Sequence, residues 1–111
     1  MKTLKFSPPL PEMVLSWEKT ITWRINDDKD LKVWDQIILY ARPLLNEFAR
    51  VEVVSAYMTT FENLTELDWD WHEKFSSEDE MYETYSRYYN VEANPKTELK
   101  VIKFKKIQHV E

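Results

Sequence analysis

The chain has 111 residues, 43% hydrophobic and 14% aromatic, which is the length of one domain with enough apolar mass for a packed core and excludes a disordered chain. It contains no cysteine, so disulfides, thiolate zinc sites and cysteine nucleophiles are excluded and a reducing compartment is expected. Its formal net charge is −5, which makes it a poor non-specific binder of polyanions and leaves DNA outside the expected partners.

The charge is unevenly spread. Residues 1–60 carry eight basic and eight acidic side chains, residues 61–95 two and ten, and residues 96–111 five and two. The acidic block reads as a solvated helix pair. His72 and His109 show no metal-ligand spacing, so no metal or cofactor is expected. No apolar run approaches the ~20 residues that span a membrane, and "MKTLKFSPPLPEM" shows no signal-peptide core. A soluble, cytoplasmic protein made of one domain, residues 1–111, is expected. There are no glycines, where about eight would be usual for this length. Turns that need positive φ must then rely on Asn or Asp.

In chain order, "TLKFS" alternates and predicts a first strand. "PPLPEMVLSWE" predicts a helix, with prolines at its start and Met13, Val14 and Trp17 at helical spacing. "TITWRI" is β-branched and alternating, a second strand. "NDDKD" is a polar turn. "KVWDQIILYAR" and "NEFARVEVVSAYMTTF" predict a strand pair joined through "PLLN". "NLTELDWDWHEKF" predicts a short helix capped at Asn63 or Thr65. "SSEDEMYETYSRYYN" predicts another, capped by Ser76 or Ser77, with Met81, Tyr85 and Tyr88 or Tyr89 as its buried stripe. "ELKVIKFKKI" predicts the last strand, with lysines 100, 103, 105 and 106 as a solvated face or a phosphate-contacting patch. The layout is α+β, a small, mostly antiparallel barrel with helices after the first strand and before the last.

The chemically distinctive stretch is "WEKTITWR", residues 17–24. On a strand, Thr20, Thr22 and Arg24 share one face, while Ile21, Trp23 and Ile25 share the other and enter the core. Lys19 lies in the preceding turn, within reach of Thr22. A threonine hydroxyl is a weak nucleophile that needs a neighbouring base. A lysine serves as that base only when burial or a nearby cation lowers its pKa, and Arg24 is such a cation. The same residues also fit an anion-binding site or the exposed face of an ordinary strand. His72 reads as a hydrogen-bonded helix residue, and Tyr82, Tyr85, Tyr88 and Tyr89 as core or as a base-stacking surface.

"KTITWR", "DDKDLKVWDQIIL", "LTELDWDWHEKFSSEDEMYETYSRYYN" and "KVIKF", in that order from about Leu15 to Phe104, resemble the ASCH domain family, in particular its short stand-alone prokaryotic members. The resemblance implies a PUA-like barrel and a link to RNA. One branch of short bacterial members hydrolyses N4-acetylcytidine to cytidine and acetate. By that likeness Lys19 is the base, Thr22 the nucleophile and Glu73 the proton donor to the leaving amine, with Arg24, Thr20, Trp71 and His72 around the substrate. The implied partner is a nucleoside or RNA in a barrel cleft. A non-catalytic RNA-binding module is the alternative, and a nuclease a weaker one. The sequence sets no oligomeric state. It departs from the family at Trp17, Trp34 and Trp71, and often at Asn90, where glycine is usual. Three such exchanges in a chain without glycine point to a coding effect, since UGA is read as glycine in some bacteria and as tryptophan under another code.

Overall fold

The structure, a computed structural model, describes residues 2–107, and His109 lies outside them. Five strands, β1 (Lys2–Phe6), β2 (Ile21–Arg24), β3 (Gln36–Ala41), β4 (Asn46–Thr60) and β5 (Glu98–Lys106), form one sheet in the order β1-β3-β4-β5-β2. The β1–β3 pair is parallel and the other three are antiparallel. Helix α1 (Leu10–Leu15) follows β1, while α2 (Glu66–Trp69) and α3 (Glu78–Tyr89) lie between β4 and β5. This is the α+β layout expected from the sequence. The sheet curls into a half-barrel with β1 and β2 at its two edges. Across the gap Arg24 donates through Nη2 to the Lys5 carbonyl at 3.5 Å.

The curl follows from the long strand. β4 has 15 residues and pairs with both β3 and β5. Its register against β5 slips between Val53 and Ser55, a bulge that bends the strand. β5 is apolar on both faces. Leu99 and Val101 enter one cluster with Ile21, Trp23, Met81 and Tyr85. Ile102 and Phe104 enter the other with Leu4, Phe6, Val51 and Val53. Burial on both sides explains why this strand reads as a nearly continuous apolar run broken by lysines.

Helix boundaries follow capping chemistry. Ser77 Oγ accepts from the Glu80 N–H at 3.1 Å and starts α3. Thr65 and Asp68 form a reciprocal capping box that starts α2. The buried stripe of α3 is Met81 and Tyr85, flanked by Tyr89, while Tyr88 is exposed. Two expectations are corrected. The helix expected over residues 63–75 is only the four residues of α2, because the chain turns at Trp71, where φ is +64°. The strand expected from Lys32 begins at Gln36, because residues 32–35 make a turn closed by the Asp35 N–H on the Lys32 carbonyl at 3.0 Å.

Among the described residues, Trp17, Asn26, Asp30, Trp34, Leu45, Trp71 and Asn90 have positive φ. Asn90 ends α3 in the left-handed region, at φ 54° and ψ 48°, with its N–H on the Ser86 carbonyl. An asparagine tolerates this conformation, a glycine fits it best and an alanine does not. Asn90→Gly is therefore expected to leave stability unchanged or raised, and Asn90→Ala to lower it by about 1 kcal/mol. Urea unfolding measures both, and an alanine variant as stable as the parent would contradict this account of the helix end.

Candidate functional site

The site begins where α1 hands over to β2. The Lys19 N–H donates to the Met13 carbonyl at 3.1 Å, which fixes the turn and sends the Lys19 side chain inward, to 1% exposure. Its Nζ donates to the Ile21 carbonyl at 2.6 Å and to Glu73 Oε1, forming an ion pair across 54 residues of chain. Burial pushes the Lys19 ammonium down from 10.5 to about 8, although the Glu73 carboxylate beside it acts in the opposite sense. A lysine displaced this far toward neutrality by burial is a candidate functional residue.

Thr22 lies on β2 with its side chain 4% exposed. Its Oγ1 accepts from Arg24 Nε at 3.0 Å, so the hydroxyl proton is left to donate elsewhere. The Arg24 guanidinium sits 4.8 Å from the centre of the Phe6 ring, a cation–π contact that spreads it across the β1–β2 gap. Between these residues Trp23 points to the opposite face and is 1% exposed. Thr22 is buried and Thr20 and Arg24 are half-buried, so this face of β2 is not a fully exposed one.

Glu73 is held from behind. His72 stacks on Trp23 with ring centroids 3.7 Å apart. Its Nδ1 faces the Glu73 carbonyl at 2.8 Å and Glu73 Oε1 at 3.2 Å. Two acceptors on one side place the ring hydrogen on Nδ1, and Nε2 then accepts from the Tyr85 hydroxyl at 3.4 Å. Burial, with the Lys19 charge adding to it, holds His72 well below its usual pKa, so the imidazole is neutral. Burial likewise raises the Tyr85 phenol well above 10 and keeps it a donor.

Thr22, Arg24, Glu73 and Tyr85 border a cleft of about 510 Å³, and Lys19 and His72 are not part of its lining. Its walls come from β1 and α1 (Phe6, Pro9, Met13), from β2 (Thr22, Trp23, Arg24), from the segment after α2 (Glu73, Phe75) and from α3 (Tyr85, Tyr88, Tyr89). Four cations, Lys5, Arg24, Lys74 and Arg87, line it against one carboxylate, Glu73. A protein of net charge −5 thus presents a cationic cleft.

Of the residues expected at the site, Lys19 pairs with Glu73 and Arg24 with Thr22; Thr22, Arg24 and Glu73 line the cleft and Lys19 does not. Thr20, Trp71 and His72 likewise stand apart from the cleft lining. Thr20 serves as a backbone clamp, donating to the Trp71 carbonyl at 2.8 Å and accepting from the Phe104 N–H at 3.0 Å. Trp71 is 62% exposed and His72 is buried behind Trp23, and none of the three is among the lining residues. Sequence reasoning missed Phe6, Lys74 and Phe75 as lining residues. The terminal lysines are not a continuous phosphate patch. Lys100 is paired with Asp27 at 3.0 Å and Lys105 with Glu52 at 3.3 Å, while Lys103 and Lys106 lie over Tyr57 and Trp17.

Comparison with solved structures places the fold. The chain superposes on the ASCH domain of Lactobacillus crispatus JV V101 with a TM-score of 0.68 at 14% identity, covering 89% of this chain and 70% of that one. An Enterococcus faecalis V583 protein of the DUF984 family gives 0.76 at 16% identity, covering 96% and 76%. ASCH from Zymomonas mobilis gives 0.65 at 15% identity, covering 93% and 65%. No protein-family model and no curated protein matches the sequence. The chain has the fold of the ASCH domain proteins. Among the described residues, no helix is long and apolar enough to cross a membrane.

The buried lysine has a consequence for stability. Its folded pKa of about 8 lies below the ordinary lysine value of 10.5, so between those values the unfolded chain holds a proton that the folded chain has released. Stability contributed by Lys19 therefore rises with pH through that window, by roughly 3 kcal/mol in all. Urea titrations of the wild type and of Lys19→Met at pH 8.0 and 9.5 measure it. The wild type is expected to gain on the variant as pH rises, and parallel pH dependence would mean that Lys19 is not destabilised as a cation.

Proposed function

We propose that the cleft binds a pyrimidine nucleoside and that the protein is an amidohydrolase acting on N4-acetylcytidine. The observation that carries this reading is the ion pair between the buried Lys19 and Glu73, 54 residues away, with Glu73 lining the same cleft as Thr22 and Arg24. The cleft volume suits a small ligand, and its aromatic walls suit a flat base.

In this reading the neutral Lys19 amine accepts the Thr22 hydroxyl proton as Oγ1 attacks the acetyl carbonyl carbon. The Arg24 guanidinium, already bonded to Oγ1, stands next to the oxygen that becomes negative and stabilises it. Glu73 takes up a proton from Lys19 through their direct contact and delivers it to N4. The C–N bond breaks, cytidine leaves and the acetyl group stays on Thr22. Water then attacks the ester with Lys19 again as base, releasing acetate and restoring the hydroxyl. The Tyr85–His72 pair keeps the Glu73 carboxylate turned toward the lysine throughout.

A specific observation favours the second reading, a non-catalytic RNA-binding module. The hydrogen bonds of Lys19 go to Ile21 and Glu73, while the bond at Thr22 comes from Arg24. Four cations around one carboxylate also suit a phosphate-bearing ligand.

Hydrolysis of N4-acetylcytidine by the purified protein, followed by loss of its absorbance, decides between them. Turnover is expected, falling by about 10³-fold or more in Thr22→Ala and in Glu73→Gln. No turnover, together with binding of cytidine or a short RNA, would replace the enzyme with the binding module. The pH profile is a separate expectation. Because Lys19 must be neutral to act and has a pKa of about 8, kcat/KM is expected to rise with pH and level off above about 8. A profile that is flat from pH 6 to 9 would remove Lys19 as the base.

A further inference from the structure

The chain has five tryptophans and no glycine. Trp23 is buried and Trp69 is packed against the same aromatic cluster. The remaining three are exposed, Trp17 at 45%, Trp34 at 75% and Trp71 at 62%, and all three have positive φ, at +67°, +78° and +64°. A non-glycine residue with positive φ occurs at the level of a few per cent, mostly as Asn or Asp. Five tryptophans would supply well under one such case.

Each of the three stands where local geometry calls for glycine. Trp17 comes one residue after Ser16, the C-cap of α1, and its N–H donates back to the Val14 carbonyl at 3.2 Å. Trp71 comes one residue after Asp70, the C-cap of α2. At Trp17 this is the left-handed position past the cap that glycine dominates because it lacks a Cβ, whereas at Trp71 the extended Asp70 (φ −61°, ψ 130°) and the His72 N–H on the Trp69 carbonyl at 3.1 Å make a type II turn with Trp71 third, where glycine or asparagine is required. Trp34 is the third residue of the turn Lys32–Asp35, closed by its 3.0 Å hydrogen bond. A φ near +80° at that place is the type II value, which requires glycine or asparagine. The other positive-φ residues, apart from Leu45, are Asn or Asp.

We infer that residues 17, 34 and 71 are glycine in the protein its own cell makes, their codons being UGA read there as glycine. UGG is the ordinary tryptophan codon and UGA differs from it only in the third base. A cell that reads UGA as glycine yields the glycine form, and one that reads it as tryptophan yields the chain as written. Trp23 and Trp69 are then true UGG tryptophans, which accounts for the division of the five into buried and strained sets. The inference does not depend on the amidohydrolase reading. It bears on it, because residues 17 and 71 each lie two positions before a member of the Lys19–Glu73 pair.

Two measurements test it. Sequencing the gene is expected to show UGA at 17, 34 and 71 and UGG at 23 and 69. UGG at any of the three overturns the inference for that position, and tryptophan found by mass spectrometry of the protein from its native cells overturns it altogether. Thermal unfolding tests the physical ground independently. Trp34, the most exposed, gives the cleanest comparison. Trp34→Gly is expected to raise Tm by about 4 °C and to exceed Trp34→Ala, which also removes the indole but keeps the Cβ. Equal Tm values for the two variants would mean that positive φ carries no penalty at this turn, and would overturn the conformational argument.

Discussion

Trp23 is the joint on which the arrangement of this protein depends. It stands on β2 between the two residues that face the cleft, and its ring points the other way. There it meets His72 face to face at 3.7 Å, Trp69 edge-on at 4.6 Å and Phe61 at 6.3 Å, while its Nε1 donates to the Asp68 carbonyl at 3.3 Å. All of these partners except Phe61 belong to α2 or the turn after it. A single buried indole therefore fixes the register between the sheet and its helical insert. Since Lys19, Thr22 and Arg24 come with β2 or the turn before it, and Glu73 comes one residue after His72, the packing of Trp23 sets how these side chains stand relative to one another. Aromatic contacts of this kind supply both burial and preferred angles, which is how an insert with only four residues of helix in α2 holds a side chain in place.

The electrostatics follow from that packing. A lysine at 1% exposure has lost most of its hydration, and its one close carboxylate does not fully offset the loss, since its pKa falls to about 8. The cationic form is thus the unfavourable one for stability, and hydrophobic residues would fill the same volume at lower cost. What this arrangement supplies is a lysine held closer to neutrality than usual and in direct contact with a carboxylate. The neutral His72, with the un-ionised Tyr85 behind it, adds a fixed donor to Glu73 without adding a second charge. The pair is asymmetric in exposure, with Lys19 closed off and Glu73 one-fifth exposed, so Glu73 is the member that communicates with the cleft.

Much of this was legible before the structure. The alternation of "TITWRI" gave the two faces of β2, the serine before an acidic turn gave the start of α3, and Met81 with Tyr85 gave its buried stripe. The resemblance, not periodicity, singled out Glu73 among ten acidic residues of the 61–95 block. What no local pattern could show was that the Thr22 face of β2 is not a fully exposed one, because the cover arrives from residues about 50 positions later. Thr20 and His72 were expected at the substrate for the same reason. Their neighbours in sequence face the cleft, but Thr20 is used for backbone clamping and His72 for stacking. Lys74, Phe75 and Phe6 carry no motif, and only the closing of the half-barrel brings them to the cleft wall. The turn at residues 32–35 was masked by Val33 and Trp34, whose side chains read as strand.

That last case joins the backbone to the site. Periodicity reads side chains, whereas turns are decided by φ, and a tryptophan at φ +78° gives a strand signal where the chain in fact reverses. The same holds at 17 and 71. Each marks the end of a helix, and each sets the direction in which the chain leaves toward Lys19 or Glu73. The Thr20 N–H on the Trp71 carbonyl ties the two exits directly to one another. The geometry of the buried pair is therefore fixed from two sides, by the indole of Trp23 through packing and by the left-handed residues 17 and 71 through backbone direction. A residue without a Cβ relieves the steric cost of the second constraint and leaves the first untouched, so the site can keep its shape while the turns that deliver its residues relax.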